Sequence, residues 1–114
     1  MCIFCDIVKK KITAEIEFED KKVLAFRDAH PIAPVHILII PKKHIATIND
    51  LKTSDEMLAG HMILTARDIA RKLKIAKDGY KLLFRTGDFG GQVVPHIHLH
   101  LIGGAKLRED IRPI

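Results

Sequence analysis

The segment His96-Ile97-His98-Leu99-His100-Leu101 alternates an imidazole with an aliphatic side chain three times in succession. Extended backbone has a side-chain period of two, so on a strand the three histidines share one face and Ile97, Leu99 and Leu101 the other. The pattern predicts a core strand from His96 to Ile102 with its aliphatic face against a helix. The imidazole face is harder to explain as ordinary surface: partly desolvated imidazoles are costly without a hydrogen-bond partner or a metal, and threonine or serine would serve more cheaply. Neighbouring members of the row stand about 6.6–6.8 Å apart at their Cα atoms and the outer two about twice that, so one metal does not easily hold all three. Separate roles as ligand, base and nucleophile fit the spacing better.

With 114 residues, 47% of them hydrophobic and 29% charged, the chain reads as one domain over 1–114. Glu15 to Phe18 and Val23 to Arg27 alternate around a turn at Asp20-Lys21, as in an antiparallel hairpin. Val35 to Ile40 is a β-branched run closed by Pro41, and Tyr80 to Thr86 a further strand, followed by a glycine-rich loop over Gly87 to Gly91. Ile3, Ile7 and Val8 suggest a short helix within Cys2 to Ile12. Thr53 and Glu56 have capping-box spacing, and Leu58, Met62, Ala66, Ile69 and Leu73 recur behind them at helical spacing, which predicts one long helix. The sum is an α+β fold: about five antiparallel strands with helices covering one face.

The net charge of +5 invites a nucleic-acid reading, but Lys9-Lys10-Lys11 and Lys42-Lys43 are short clusters and the remaining lysines mix with acids, which predicts a solvated surface without a dedicated nucleic-acid patch. No apolar run is long enough to span a membrane, no leader pattern is visible, and the only cysteines are Cys2 and Cys5, so a cytoplasmic protein is expected. Cys2-Ile3-Phe4-Cys5 has metal-ligand spacing but supplies half a site. A redox pair and two free thiols are the alternatives, although a redox CxxC normally follows a strand.

HIHLHLI resembles the signature of the histidine-triad (HIT) superfamily, and IFCDIVKKKI, FEDKKVLAFRDAHPIAPVHILIIPKKHI and GGQVVPHIHLHLIGG together resemble its Hint branch over nearly the whole chain. The resemblance implies a homodimer whose sheets join into one, binding a purine nucleoside monophosphate or its phosphoramidate and hydrolysing the latter without a catalytic cofactor. It implies that His98 is the nucleophile, with His96 and His100 completing the catalytic row and His100 contacting the phosphate and protonating the leaving group. Asp28 would hold the ribose and Ala29 lie beside the base, with Phe4, Ile7, Phe18 and Phe26 as pocket walls. Gly90, Gly91 and Gln92 would approach the phosphate. The same resemblance implies a structural zinc on Cys2, Cys5, His44 and His96.

Two positions depart from the family pattern: Arg85 stands where an asparagine is common and Val93 where a serine or other polar residue is common. Both contact the phosphate or leaving group in the family. A nucleotide-binding or interaction module with little turnover is therefore the alternative to a hydrolase, and a metal-dependent hydrolase is the third reading.

Overall fold

The computed structural model describes residues 2–114. Helix α1 (Ile3–Val8) is followed by β1 (Ile16–Glu19), β2 (Val23–Arg27), β3 (Val35–Pro41), the long helix α2 (Glu56–Lys72), β4 (Tyr80–Leu83) and β5 (Leu99–Gly103). The strands form one antiparallel sheet in the order β1-β2-β3-β5-β4.

Both faces of this sheet are covered, one by each helix, where sequence reasoning placed the helices on a single face. Val23, Ala25, Ile37, Ile39, Ile97, Leu99 and Leu101 pack under Met62, Ala66, Ile69 and Ala70 of α2. Leu24, Phe26, Leu38 and Ile40 point the other way and meet Phe4 and Ile7 of α1. The central strands therefore read as continuous apolar runs, because burial on both faces removes the need for alternation.

Both helices end in the same way. Lys10 (φ 63°) and Lys74 (φ 62°) are left-handed, and the N–H groups of Lys11 and Ile75 donate back to the carbonyls of Asp6 and Ala70. These are Schellman closures built on lysine where glycine is usual. That turn stops α1 at Val8, inside the Cys2 to Ile12 segment where a short helix is expected. The start of α2 also differs from expectation: Thr53–Asp55 forms a 3-10 turn, and the Asp55 carboxylate accepts from the Lys52 N–H at 2.9 Å and from Lys43 Nζ at 3.0 Å. Thr53 and Glu56 do not form the capping box.

The histidine strand begins later than its pattern suggests. Ladder pairing with β3 starts at Leu99 opposite Ile39, while the Ile97 N–H donates to the carbonyl of Ile45 (2.8 Å), beyond the end of β3. Likewise β4 stops at Leu83, which pairs with His100, rather than continuing to Thr86. A strand ends where its neighbour's hydrogen-bonding edge ends, and alternation in one segment carries no information about that.

Candidate active site

Cross-strand register assembles the site on the face that α1 covers. Leu38 lies opposite His100, and the diagonal neighbour His36 places its Nε2 2.9 Å from His100 Nδ1. Asp28, just past β2, is held to the same corner. Its N–H donates to the His36 carbonyl (2.9 Å), its Oδ1 accepts from the His30 N–H (2.8 Å), and its Oδ2 lies 3.5 Å from His36 Nε2.

His98 sits between two clusters and belongs to neither. Its ring meets the edge of Phe4 at 5.1 Å between centroids and lies 4.9 Å from the His100 ring. Its Nδ1–H donates to the carbonyl of His96 at 2.7 Å, which fixes the tautomer and leaves the Nε2 lone pair free. Burial pushes the His98 imidazolium down from its ordinary value, against the opposing pull of that carbonyl, so the ring is neutral near pH 7. A neutral imidazole with one nitrogen committed and the other open has the form of a nucleophile.

Burial, reinforced by His98, Arg85 and His36, pushes His100 down to about 3. Burial also lowers His36. These shifts carry a stability prediction. The folded chain keeps both rings neutral, whereas the unfolded chain takes up protons near the ordinary histidine value of 6.5. The unfolded state thus binds more protons below that value, and stability falls as pH drops through the window from about 6.5 toward 3. His100 alone contributes a loss of about 2 kcal/mol at pH 5. Thermal unfolding at pH 7 and pH 5 checks this: a lower Tm at pH 5 is expected, with a flatter profile in His100→Gln, and a Tm independent of pH over that range would contradict it.

The second cluster joins the chain's N-terminal turn to the start of the histidine row. Cys2 caps α1, accepting from the Cys5 N–H at 3.4 Å. Cys2 Sγ lies 3.3 Å from His96 Nδ1, Cys5 Sγ 3.2 Å from His44 Nδ1 and 3.6 Å from His96 Nδ1, and the two Nδ1 atoms are 3.2 Å apart. Four ligands at zinc-like bond lengths on a tetrahedron stand about 3.3–3.8 Å from one another, so this donor set fits zinc. His96 Nε2–H donates to the Pro41 carbonyl at 2.8 Å, which turns Nδ1 toward the cysteines and supplies the outer hydrogen bond that zinc-binding histidines carry. The Cys5 thiol is raised by burial and then by Cys2.

Other expected residues divide. Phe4 is buried against His96 and His98, Ile7 and Phe26 are buried in the same apolar cluster as Phe4, and Ala29 is exposed next to Asp28. Phe18 is not with them. A bulge between Ile16 and Phe18 shifts the register, so that Phe18 pairs with Ala25 and lies over α2 beside Leu64 and Ile69. Gln92 braces its own loop: Nε2 donates to the carbonyls of Ala46 (2.7 Å) and Val94 (2.9 Å), and Oε1 accepts from the Gly87 N–H. The N–H groups of Gly91 and Gln92 are likewise spent on the carbonyls of Asp88 and Gly87, which leaves neither directed at a phosphate. Val93 is 88% exposed.

Gly90 and Gly91 are required for a different reason. A Cβ at Gly90 would stand 2.3 Å from the Thr86 carbonyl oxygen, and Gly91 has φ +80° with the Arg85 side chain laid across it. Arg85 Nη1 reaches 3.2 Å from His100 Nε2. His36 was missed by sequence reasoning. Its signal was a lone ionisable residue in the otherwise aliphatic run Val35 to Ile40.

The HIT-domain family profile matches residues 9–107. A purine nucleoside phosphoramidase of Escherichia coli is 48% identical over 105 residues, covering 92% of this chain and 88% of that protein. A HIT family hydrolase from Legionella pneumophila superimposes with a TM-score of 0.93 at 48% identity, covering 95% of this chain and 96% of that one. A histidine triad protein from Clostridium difficile does so with a TM-score of 0.93 at 36% identity, over 96% and 95%. The chain belongs to the HIT-domain family. Within that family it is a hydrolase.

Proposed function

We propose that the chain hydrolyses purine nucleoside 5′-phosphoramidates or related adenylates through a nucleotidyl intermediate on His98. The observation that carries this is the 2.7 Å hydrogen bond from His98 Nδ1–H to the His96 carbonyl, which leaves a neutral Nε2 free beside His100. The phosphoramidase at 48% identity supports the substrate class. In the first step the Nε2–phosphorus bond forms as the bond to the leaving nitrogen breaks. That nitrogen takes the proton from His100 Nε2, which is replaced at Nδ1 from His36 and ultimately from solvent. Water then attacks the same phosphorus, the Nε2–phosphorus bond breaks, and the water's proton returns through His100, releasing the nucleoside monophosphate and neutral His98. Dividing one displacement into two lowers each barrier. Asp28 holds the ribose in this scheme, and Phe4, Ile7 and Phe26 border the base.

Cys2, Cys5, His44 and His96 are proposed to hold a structural zinc, which would anchor the residue whose carbonyl orients His98. The reaction itself is proposed to need no catalytic cofactor. A single metal on the three triad histidines fits the geometry poorly, because His96 and His100 belong to separate metal-capable clusters and His98 to neither. One observation favours the reading with little turnover: Arg85 stands against the His100 nitrogen that would serve the leaving group. Assaying purified protein with adenosine 5′-phosphoramidate decides between them. Catalytic release of adenosine monophosphate is expected, and tight binding without release would leave a binding module.

We also propose a homodimer in a cytoplasmic setting. β4 has a sheet neighbour on one side only, and Met57, Ile63 and Leu64 expose apolar surface on α2. No helix among the described residues is long and apolar enough to cross a membrane. Light scattering should give twice the monomer mass; the mass of a single chain would rule out the dimer.

A further inference from the structure

We propose that Arg85 is a specificity-determining residue that selects substrates whose leaving group carries its own negative charge. This rests on the hydrolase reading above, in which His100 Nε2 serves the leaving group.

The hydrogens along the His36–His100 row are one too many. Three junctions lie in line: the Ile32 N–H to His36 Nδ1 (3.3 Å), His36 Nε2 to His100 Nδ1 (2.9 Å), and His100 Nε2 to Arg85 Nη1 (3.2 Å). Each junction holds one hydrogen. Ile32 and Arg85 bring one each from the two ends, and each neutral imidazole carries one, which makes four for three places. Asp28 Oδ2, 3.5 Å from His36 Nε2, draws the His36 proton to that nitrogen, as does the Ile32 N–H on the other side of the ring. His100 then accepts at Nδ1 and carries its own proton on Nε2, so that two N–H groups face each other at the Arg85 end. An acceptor placed between them resolves the conflict, and an anionic oxygen does so best, since a guanidinium bonds most strongly to a charged oxygen.

Arg85 is otherwise uncommitted. No carboxylate lies within ion-pair distance of it among the described residues; the same holds for Arg108, whereas Arg27, Arg67, Arg71 and Arg112 have such partners. Its position is fixed from below, because Gly91 lets the arginine stem lie on the loop backbone; an added Cβ there would touch Arg85 Cδ at 3.4 Å. The guanidinium therefore waits beside the one nitrogen that meets the leaving group. A departing amine that carries a carboxylate or phosphate would place an anionic oxygen against Arg85, whereas a neutral amine leaves the cation without a counter-charge.

The test compares two adenosine 5′-phosphoramidates, one N-linked to glycine and one to glycinamide, which differ in the charge of the departing group. The wild-type chain should favour the glycine compound in kcat/KM, and Arg85→Gln should reduce that preference about tenfold, with Arg85→Lys between the two. The ratio within one variant cancels any loss of folded enzyme, so a structural defect does not move it. An unchanged ratio overturns the proposal. So does an equal loss on both compounds, which would make Arg85 a contact to the α-phosphate. If the wild type hydrolyses neither compound, the hydrolase reading fails separately, and the same ratio taken from dissociation constants of the two compounds judges Arg85 by the same criterion.

Discussion

His98→Asn is expected to lower turnover of adenosine 5′-phosphoramidate by at least about a thousandfold while leaving the fold intact. Asparagine suits the test because its side-chain N–H can still donate to the His96 carbonyl, so the buried hydrogen bond at 2.7 Å keeps a donor. What disappears is the Nε2 lone pair, which the scheme makes the bond-forming atom. Loss of a nucleophile removes the entire two-step route and leaves only binding and positioning. Circular dichroism and nucleotide affinity should stay near wild type, and a variant that retained more than about a tenth of the rate would show that another atom attacks phosphorus.

The second large effect concerns the metal cluster. Removing zinc with a chelator, or replacing a ligand as in Cys5→Ser, should lower Tm by roughly 15 °C. A ligand at a thousandfold above its dissociation constant stabilises by about 4 kcal/mol, and a domain of this size moves by roughly 4 °C for each. The loss should be this large because the four donors come from distant parts of the chain: α1, the segment after β3 and the start of the histidine row. Turnover should fall as well, since His96 also supplies the carbonyl that orients His98. Metal analysis that finds about one zinc per chain, lost together with the stability, is the expected result. Protein that contains no zinc and melts at the same temperature with and without chelator would remove the metal from the structure.

Local pattern made much of this readable. The alternation of His96 to Leu101 foretold both the aliphatic contact with α2 and the shared face of His98 and His100, because a period of two is a property of extended backbone alone. The long helix was visible for the same kind of reason, since its buried Met62, Ala66 and Ile69 repeat at helical spacing. What escaped depends on partners distant in sequence. The family resemblance places Phe18 with the pocket, and one bulged residue after Ile16 is enough to turn it to the other face of the sheet. His36 became part of the site through its diagonal to His100, 64 residues away. Gln92 was expected at the phosphate, yet both ends of its amide are used in holding the loop. Arg85 was recognised as a departure from the family pattern. Its meaning came from a junction with His100 that no reading of the segment around it could supply.

Covalent capture puts the central imidazole to the most direct trial. Protein mixed briefly with excess substrate and denatured in alkali, where a phosphorus–imidazole bond survives, is digested and read by mass spectrometry. One nucleotidyl group on His98, absent from His98→Asn, is the predicted result; substrate consumed with the adduct on a different side chain would contradict it.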